Sequence, residues 1–165
     1  MALRIIATGG TFDKSYDPIG GVLGFEDSHL PEIIDTLRLI EPPVLEIVAL
    51  VDSLDMENDQ RKAVLEACRR SPEDRIVVIH GTDTMAVTAA LVGEAGLEKS
   101  VVFTGAMVPY AVRGSDAVFN LGCAVMATGL LQNGTWVAMN GRILPWHSVR
   151  KDVARGLFVR TEASG

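Results

Sequence analysis

Cysteine is scarce in this chain, with two residues among 165. Cys68 and Cys123 both fall inside helical patterns, too few and too dispersed for a disulfide framework or a zinc site. Positive charge is also short: 15 Lys+Arg stand against 21 Asp+Glu, a net charge of −6. That balance lacks the basic stripe of a nucleic-acid platform. No apolar run approaches the ~20 residues of a membrane span. The opening Met1-Ala2-Leu3-Arg4-Ile5-Ile6 runs straight into a strand-like segment, without signal-peptide architecture. Repeats, low-complexity tracts and linkers are missing too. These lacks point to a cytoplasmic, reduced protein with no membrane and no nucleic-acid partner.

What is present suits one globular domain over residues 1–165. The chain is 48% hydrophobic and 22% charged, and a chain this long buries roughly 70% of its unfolded surface without a staple. Leu3 to Thr8, Val44 to Val51, Arg75 to Ile79, Val101 to Thr104 and Trp136 to Met139 read as buried strands. Helices are expected from near His29 to before Pro42-Pro43, from Asn58 to Arg70, from Thr84 to Leu97 and from Arg113 to Gln132. Phe12 to Phe25, with Gly20, Gly21 and Gly24, reads as a long loop of the kind that is more often functional than accidental. Gly141 to Gly165 has no strong period and is expected to be irregular. Strands alternating with helices imply an α/β fold, three layers (α/β/α) around a mostly parallel, Rossmann-like sheet.

In such a sheet ligands bind outside the carboxyl ends of the strands. The rule selects Thr8-Gly9-Gly10-Thr11, Asp52-Ser53-Leu54-Asp55, His80-Gly81-Thr82-Asp83-Thr84 and Thr104-Gly105-Ala106-Met107. Each segment carries a hydroxyl. Gly9 and Gly10 would let backbone N–H groups approach an anion or oxyanion; a plain glycine turn with a threonine cap accounts for them as well. A dinucleotide fingerprint does not fit here. Thr82 or Asp83 could simply cap the following helix, and Asp83 could equally hold a substrate ammonium. Ser53 and Asp55 have a bland reading as turn formers. A threonine nucleophile needs a proton acceptor or a desolvated lysine. His80 reads as a packed strand-end residue rather than a base, while Lys62 and Lys99 read as solvated. Lys14 and Lys151 could each reach the crevice, and composition does not choose between them.

Taken together, the strand-end segments resemble the bacterial-type L-asparaginase family, the threonine amidohydrolases. Ala7-Thr8-Gly9-Gly10-Thr11 resembles its first active-site signature and His80-Gly81-Thr82-Asp83-Thr84-Met85 its second. Phe103-Thr104-Gly105-Ala106-Met107, Arg113-Gly114-Ser115-Asp116-Ala117, Asn120-Leu121 and Val137-Ala138-Met139-Asn140 are similar to segments that follow in the family. The likeness runs from Leu3 to about Lys151. It implies Thr11 as nucleophile, with Thr82, Asp83 and Lys151 as a proton-handling triad. It also implies Asp83 for the substrate α-ammonium, Ser53 for the α-carboxylate, and Gly10 and the Ala106 carbonyl facing the substrate. Tyr16 resembles the tyrosine of the family's mobile loop. No cofactor and no metal are implied; the substrate is a small amino-acid amide, L-asparagine or a relative such as L-glutamine.

Two departures stand out. Leu54 occupies the position where the family usually carries a glutamine that grips the substrate carboxylate. The family's smaller C-terminal domain, which lends an acidic residue to a neighbouring protomer, has no counterpart in these 165 residues; a short single-domain member and a piece of a longer chain are both compatible with that. Self-association is expected, most simply as a two-fold dimer that walls the crevice again. A regulatory amino-acid-binding domain and a component of a tRNA-linked amidotransferase are the competing readings.

Overall fold

The computed structural model describes residues 2–161. A six-stranded sheet forms its centre. Strand β1 spans Leu3–Gly9, β4 Val44–Val51, β5 Arg75–Ile79, β6 Ser100–Thr104, β7 Gly134–Met139 and β8 Arg142–Pro145, in the spatial order β4-β1-β5-β6-β7-β8. The first five are mutually parallel, and only β8 runs antiparallel, against β7. Strand order reverses between β1 and β5, since the chain moves outward to β4 before crossing back. That is the switch point at which a doubly wound sheet opens a crevice.

Helices cover both faces because successive strand residues point to opposite sides. Ile5, Ala7, Val77, Ile79, Val102 and Ala138 pack under α1 (Leu30–Thr36) and α4 (Ala117–Leu130). Ile6, Ile76, Val78, Val101, Phe103, Val137 and Met139 pack under α2 (Asn58–Arg70) and α3 (Met85–Glu94). Helix α2 starts and stops where its pattern predicts. Glu57 and Gln60 close a capping box at its N-terminus, and Arg69 and Arg70 favour its C-terminal dipole. The α/β/α architecture is the one the alternation implies.

Four segments differ from expectation. The helix expected to run from near His29 to before Pro42-Pro43 stops at Thr36, and Arg38 takes a φ of 52°, which no α-helix continues through. The stretch Phe12 to Phe25 contains a hairpin, β2 (Ser15–Asp17) paired with β3 (Val22–Gly24). The helix expected from Arg113 begins only at Ala117. Gly114 takes a φ of 82°, and the Asp116 carboxylate accepts the N–H groups of Met107 and Val108, holding the chain in a turn. Gly141 onward is not irregular. It forms β8, then β9 (Val149–Asp152) paired with β10 (Leu157–Arg160), and buries Leu144, Val149 and Phe158 against the α3 side. Asn140 and Gly141, with φ values of 55° and 70°, make the tight turn between β7 and β8. Residues 162–165 of that stretch lie outside the described residues.

Candidate active site

Three strand ends converge at the switch point, and glycine is what lets them meet. Gly10 sits at φ 69° and ψ −173°, a conformation that disfavours a side chain. A Cβ there would strike the Cα of Gly81 at the end of β5, and a Cβ on Gly81 would come 2.5 Å from the Ser53 Cβ. The glycines therefore serve first to stack the ends of β1, β5 and β4 against one another. Gly10 N–H donates to the Val51 carbonyl at 2.9 Å, so that N–H is engaged with backbone.

This stacking places the hydroxyls. Thr11 opens a one-turn 3-10 segment, Thr11–Asp13, directly after Gly10. It is half-buried, and its hydroxyl makes no hydrogen bond among the described residues. Thr82 is buried. Lys151 Nζ, carried in on β9, donates to Thr82 Oγ1 and to Asp83 Oδ1, each at 2.7 Å. Neither Thr82 nor Asp83 caps α3; the N-cap residue there is Thr84, and no side chain closes the cap. The capping alternative for this pair is not what the chain adopts.

A chain of hydrogen bonds underneath fixes the Gly81–Thr84 loop. Arg61 donates to Thr84 Oγ1 at 3.0 Å and to Thr88 Oγ1 at 2.9 Å. Thr88 Oγ1 lies 2.7 Å from His80 Nε2, and His80 Nδ1 lies 2.8 Å from the Gly81 carbonyl. The Gly81 carbonyl can only accept, so the proton of the neutral ring sits on Nδ1 and Nε2 accepts from the Thr88 hydroxyl. Burial pushes the His80 imidazole down to about 4, so the ring is neutral at physiological pH and acts as a packed support. Thr84 in turn donates its hydroxyl to the Ser53 carbonyl at 2.8 Å and its N–H to Ser53 Oγ at 3.3 Å. Ser53 is thus buried and locked between β4 and α3.

The two candidate lysines separate cleanly. Lys14 Nζ donates to Asp52 Oδ2 at 2.5 Å and lies 5.8 Å from the centre of the Phe25 ring. It ties the turn after Thr11 to the segment that carries Ser53. The Lys14 ammonium beside Asp52 holds that carboxyl below its usual range, helped by the Leu54 N–H. Sequence reasoning does not assign this pair, although Asp52 lies in a selected strand-end segment and Lys14 is one of two open choices. Lys99, expected to be solvated, instead donates to the Ser71 carbonyl and is half-buried.

The remaining positions are less engaged. Ala106 is buried at the end of β6, next to Gly105, whose carbonyl accepts from Asn120 Nδ2 at 3.0 Å. Tyr16 stands on β2 opposite Leu23, 62% exposed, and makes no side-chain hydrogen bond among the described residues. Leu54 is 72% exposed at the rim. Asp13, at the base of the β2–β3 hairpin, is buried and accepts from Ser28 Oγ and His29 N–H, each at 2.9 Å. Ser15 Oγ sits 2.9 Å from His29 Nε2, a second anchor for the hairpin. Among the described residues no three His, Cys, Asp or Glu side chains are placed to hold a metal ion, and no helix is long and apolar enough to cross a membrane.

Known proteins share this fold. The family described as "Asparaginase, N-terminal" matches residues 2–157. L-asparaginase 1 of Escherichia coli K12 is 30% identical over 129 residues, covering 73% of this chain and 38% of that protein. A component of the glutamyl-tRNA(Gln) amidotransferase of Aeropyrum pernix is 35% identical over 131 residues, covering 74% of this chain and 31% of its own length. The solved structure of the thermostable L-asparaginase from Thermococcus kodakarensis superposes with a TM-score of 0.84 at 26% identity, over 97% of this chain and 51% of that one. The chain thus spans less than half of these curated relatives and about half of the solved neighbour. It belongs to the bacterial-type L-asparaginase family and has the fold of that family's N-terminal domain.

Proposed function

We propose that the protein is an amidohydrolase that converts L-asparagine, or a related side-chain amide such as L-glutamine, to the acid and ammonia. One observation carries the reading. Lys151 reaches 2.7 Å from both Thr82 Oγ1 and Asp83 Oδ1, next to the strand end where the Thr11 hydroxyl has no partner among the described residues. In this reading Thr11 Oγ attacks the amide carbonyl, and the Thr82–Lys151–Asp83 group takes the hydroxyl proton and returns it to the departing nitrogen. Ammonia leaves, and water then cleaves the acyl-threonine ester. Asp83, whose Oδ1 faces Lys151, also receives the substrate ammonium. Ser53 and the backbone at Gly10 and Ala106 line the acyl portion, and Tyr16 comes down with the β2–β3 hairpin. The same reading has a self-associating cytoplasmic protein that needs no cofactor.

A coupled ammonia assay across a panel of amino-acid amides tests the proposal. Release from asparagine or glutamine that disappears in Thr11→Ala supports it. Binding of the amino acids without turnover would favour a regulatory domain, a reading to which exposed Leu54 lends weight because it cannot grip a carboxylate.

A further inference from the structure

Charge is unevenly spread along the chain. Residues 142–160 hold five of its 15 Lys+Arg, namely Arg142, Arg150, Lys151, Arg155 and Arg160, against one acid, Asp152. That leaves 10 cations against 20 acids for the rest of the chain. Lys151 is engaged with Thr82 and Asp83. The four arginines are exposed, and their guanidinium groups make no hydrogen bond or ion pair among the described residues. Elsewhere arginines find partners. Arg4 and Arg70 pair with Glu46 and Arg69 with Glu66, while Arg61 and Arg75 donate to threonine hydroxyls and backbone carbonyls.

The β9–β10 hairpin gathers three of the four. Val149 and Phe158 turn inward and are buried, and Lys151, paired with Phe158 on the same face, reaches the active site. Arg150, paired with Val159, lies on the opposite, outer face. At the turn Asp152 Oδ1 accepts the Arg155 N–H at 3.2 Å, and Gly156 at φ 63° brings the chain back. Arg150, Arg155 and Arg160, with Asp152, Val159 and Thr161, line one groove of about 550 Å³. Arg155 and Val159 also border a smaller cleft of about 170 Å³ that reaches Arg142 and Asn140.

We propose that this groove binds a small polyphosphate, an anion with two or more linked phosphate groups, in the guanidinium forks of Arg150, Arg155 and Arg160. The chemistry of the donors favours phosphate. Guanidinium is planar, always charged and weakly hydrated, and its paired N–H groups match phosphate oxygens two at a time. Asp152 is the one acid of the groove, so the three arginines leave it net positive, and linked phosphates can meet several forks at once. Size points to a small ligand, because the volume falls in the range of small-molecule sites. A long polyanion is disfavoured. Beyond this hairpin acids outnumber cations two to one, which repels a nucleic-acid backbone, and Phe158, the one aromatic residue lining either cavity, is buried and offers no face for base stacking. This inference stands independently of the catalytic reading.

Isothermal titration calorimetry with inorganic tripolyphosphate and orthophosphate as probes, at about 150 mM salt, tests the proposal. Tripolyphosphate should bind the wild-type protein with a Kd of about 100 μM or tighter, and orthophosphate at least about tenfold more weakly. Arg150→Gln and Arg155→Gln should each weaken tripolyphosphate about tenfold, with an unchanged melting curve in the absence of the probe because both side chains are exposed. Arg69→Gln, which removes an exposed arginine from α2, should leave the Kd as it is. ATP titrated beside tripolyphosphate separates the two sources of the same chemistry: tighter binding of ATP assigns the site to a nucleotide, weaker or equal binding to the inorganic anion. No binding of tripolyphosphate, a loss in Arg69→Gln equal to that in Arg155→Gln, or tighter binding of single-stranded oligonucleotides as they lengthen overturns the proposal.

Discussion

Lys151 and Thr82 are 69 residues apart in sequence, and their contact exists only because β9 returns across the carboxyl ends of the parallel strands. If Thr82, Asp83 and Lys151 handle protons as one unit, removing any one of them should cost nearly as much as removing two. Thr82→Val, Lys151→Met and the double variant should each lower kcat by about three orders of magnitude or more, without the multiplied loss expected of independent sites. Steady-state kinetics of the three variants decides the matter; multiplicative losses would dissolve the unit. Leu54 belongs to the same scale. An exposed leucine offers no hydrogen bond to a carboxylate, and each such bond is worth roughly 1–1.5 kcal/mol. Leu54→Gln should therefore lower KM about tenfold with kcat unchanged, the pattern of uniform binding. A change in kcat alone would mean that the residue does not face the substrate carboxylate.

At the scale of elements, the site depends on three loops that nearly interpenetrate. Gly81→Ala would push a methyl group to 2.5 Å from the Ser53 Cβ, inside a region where the neighbours are backbone and a locked serine. It should destabilise the protein by about 1–3 kcal/mol, and activity should fall further than stability does, because both Thr82 and Ser53 shift. Denaturant unfolding beside kinetics on the folded fraction separates the two effects; full specific activity in the folded fraction would contradict it. Much of this element structure is legible in the sequence. The parallel strands are mostly apolar runs ended by Gly, His, Asp or Asn, and α2 announces both of its ends. The β2–β3 hairpin and the β8–β10 segment are not legible in the same way. Strands of three or four residues are too short for a period, and their partners are set by tertiary pairing. A signal for β8 does exist in Asn140-Gly141, which stands between two apolar runs as a hairpin turn does. The site residues are legible only partly from chemistry. Hydroxyls at strand ends mark the crevice, whereas the choice of Lys151 over Lys14 needs the likeness to a family, because β9 brings Lys151 in from an unpatterned stretch.

For the whole molecule, buried titratable groups set the acid limit of stability. His80 is neutral when folded, held down to about 4 by burial, whereas an unfolded histidine titrates near 6.5. Because the unfolded chain binds the proton more readily, the stabilising contribution is complete above about pH 6.5 and is lost as pH falls toward 4. Glu73 extends the trend. Arg4 and Ser71 hold its carboxyl down to about 2, so its contribution is present above about pH 4.5 and fades toward pH 2. Melting temperatures should drop in two stages on acidification, and Glu73→Gln should flatten the lower one. A flat profile between pH 6.5 and 4 would contradict the neutral, buried His80.

The most direct measurement concerns the bond the protein is proposed to make. Acid-quenching the protein during turnover of asparagine, or of a slow electrophilic analogue, followed by peptide mass spectrometry, locates any acyl group on the chain. The account predicts an ester on Thr11, lost in Thr11→Ala and formed far more slowly in Lys151→Met. An ester on Thr82, or turnover undiminished in Thr11→Ala, would contradict it.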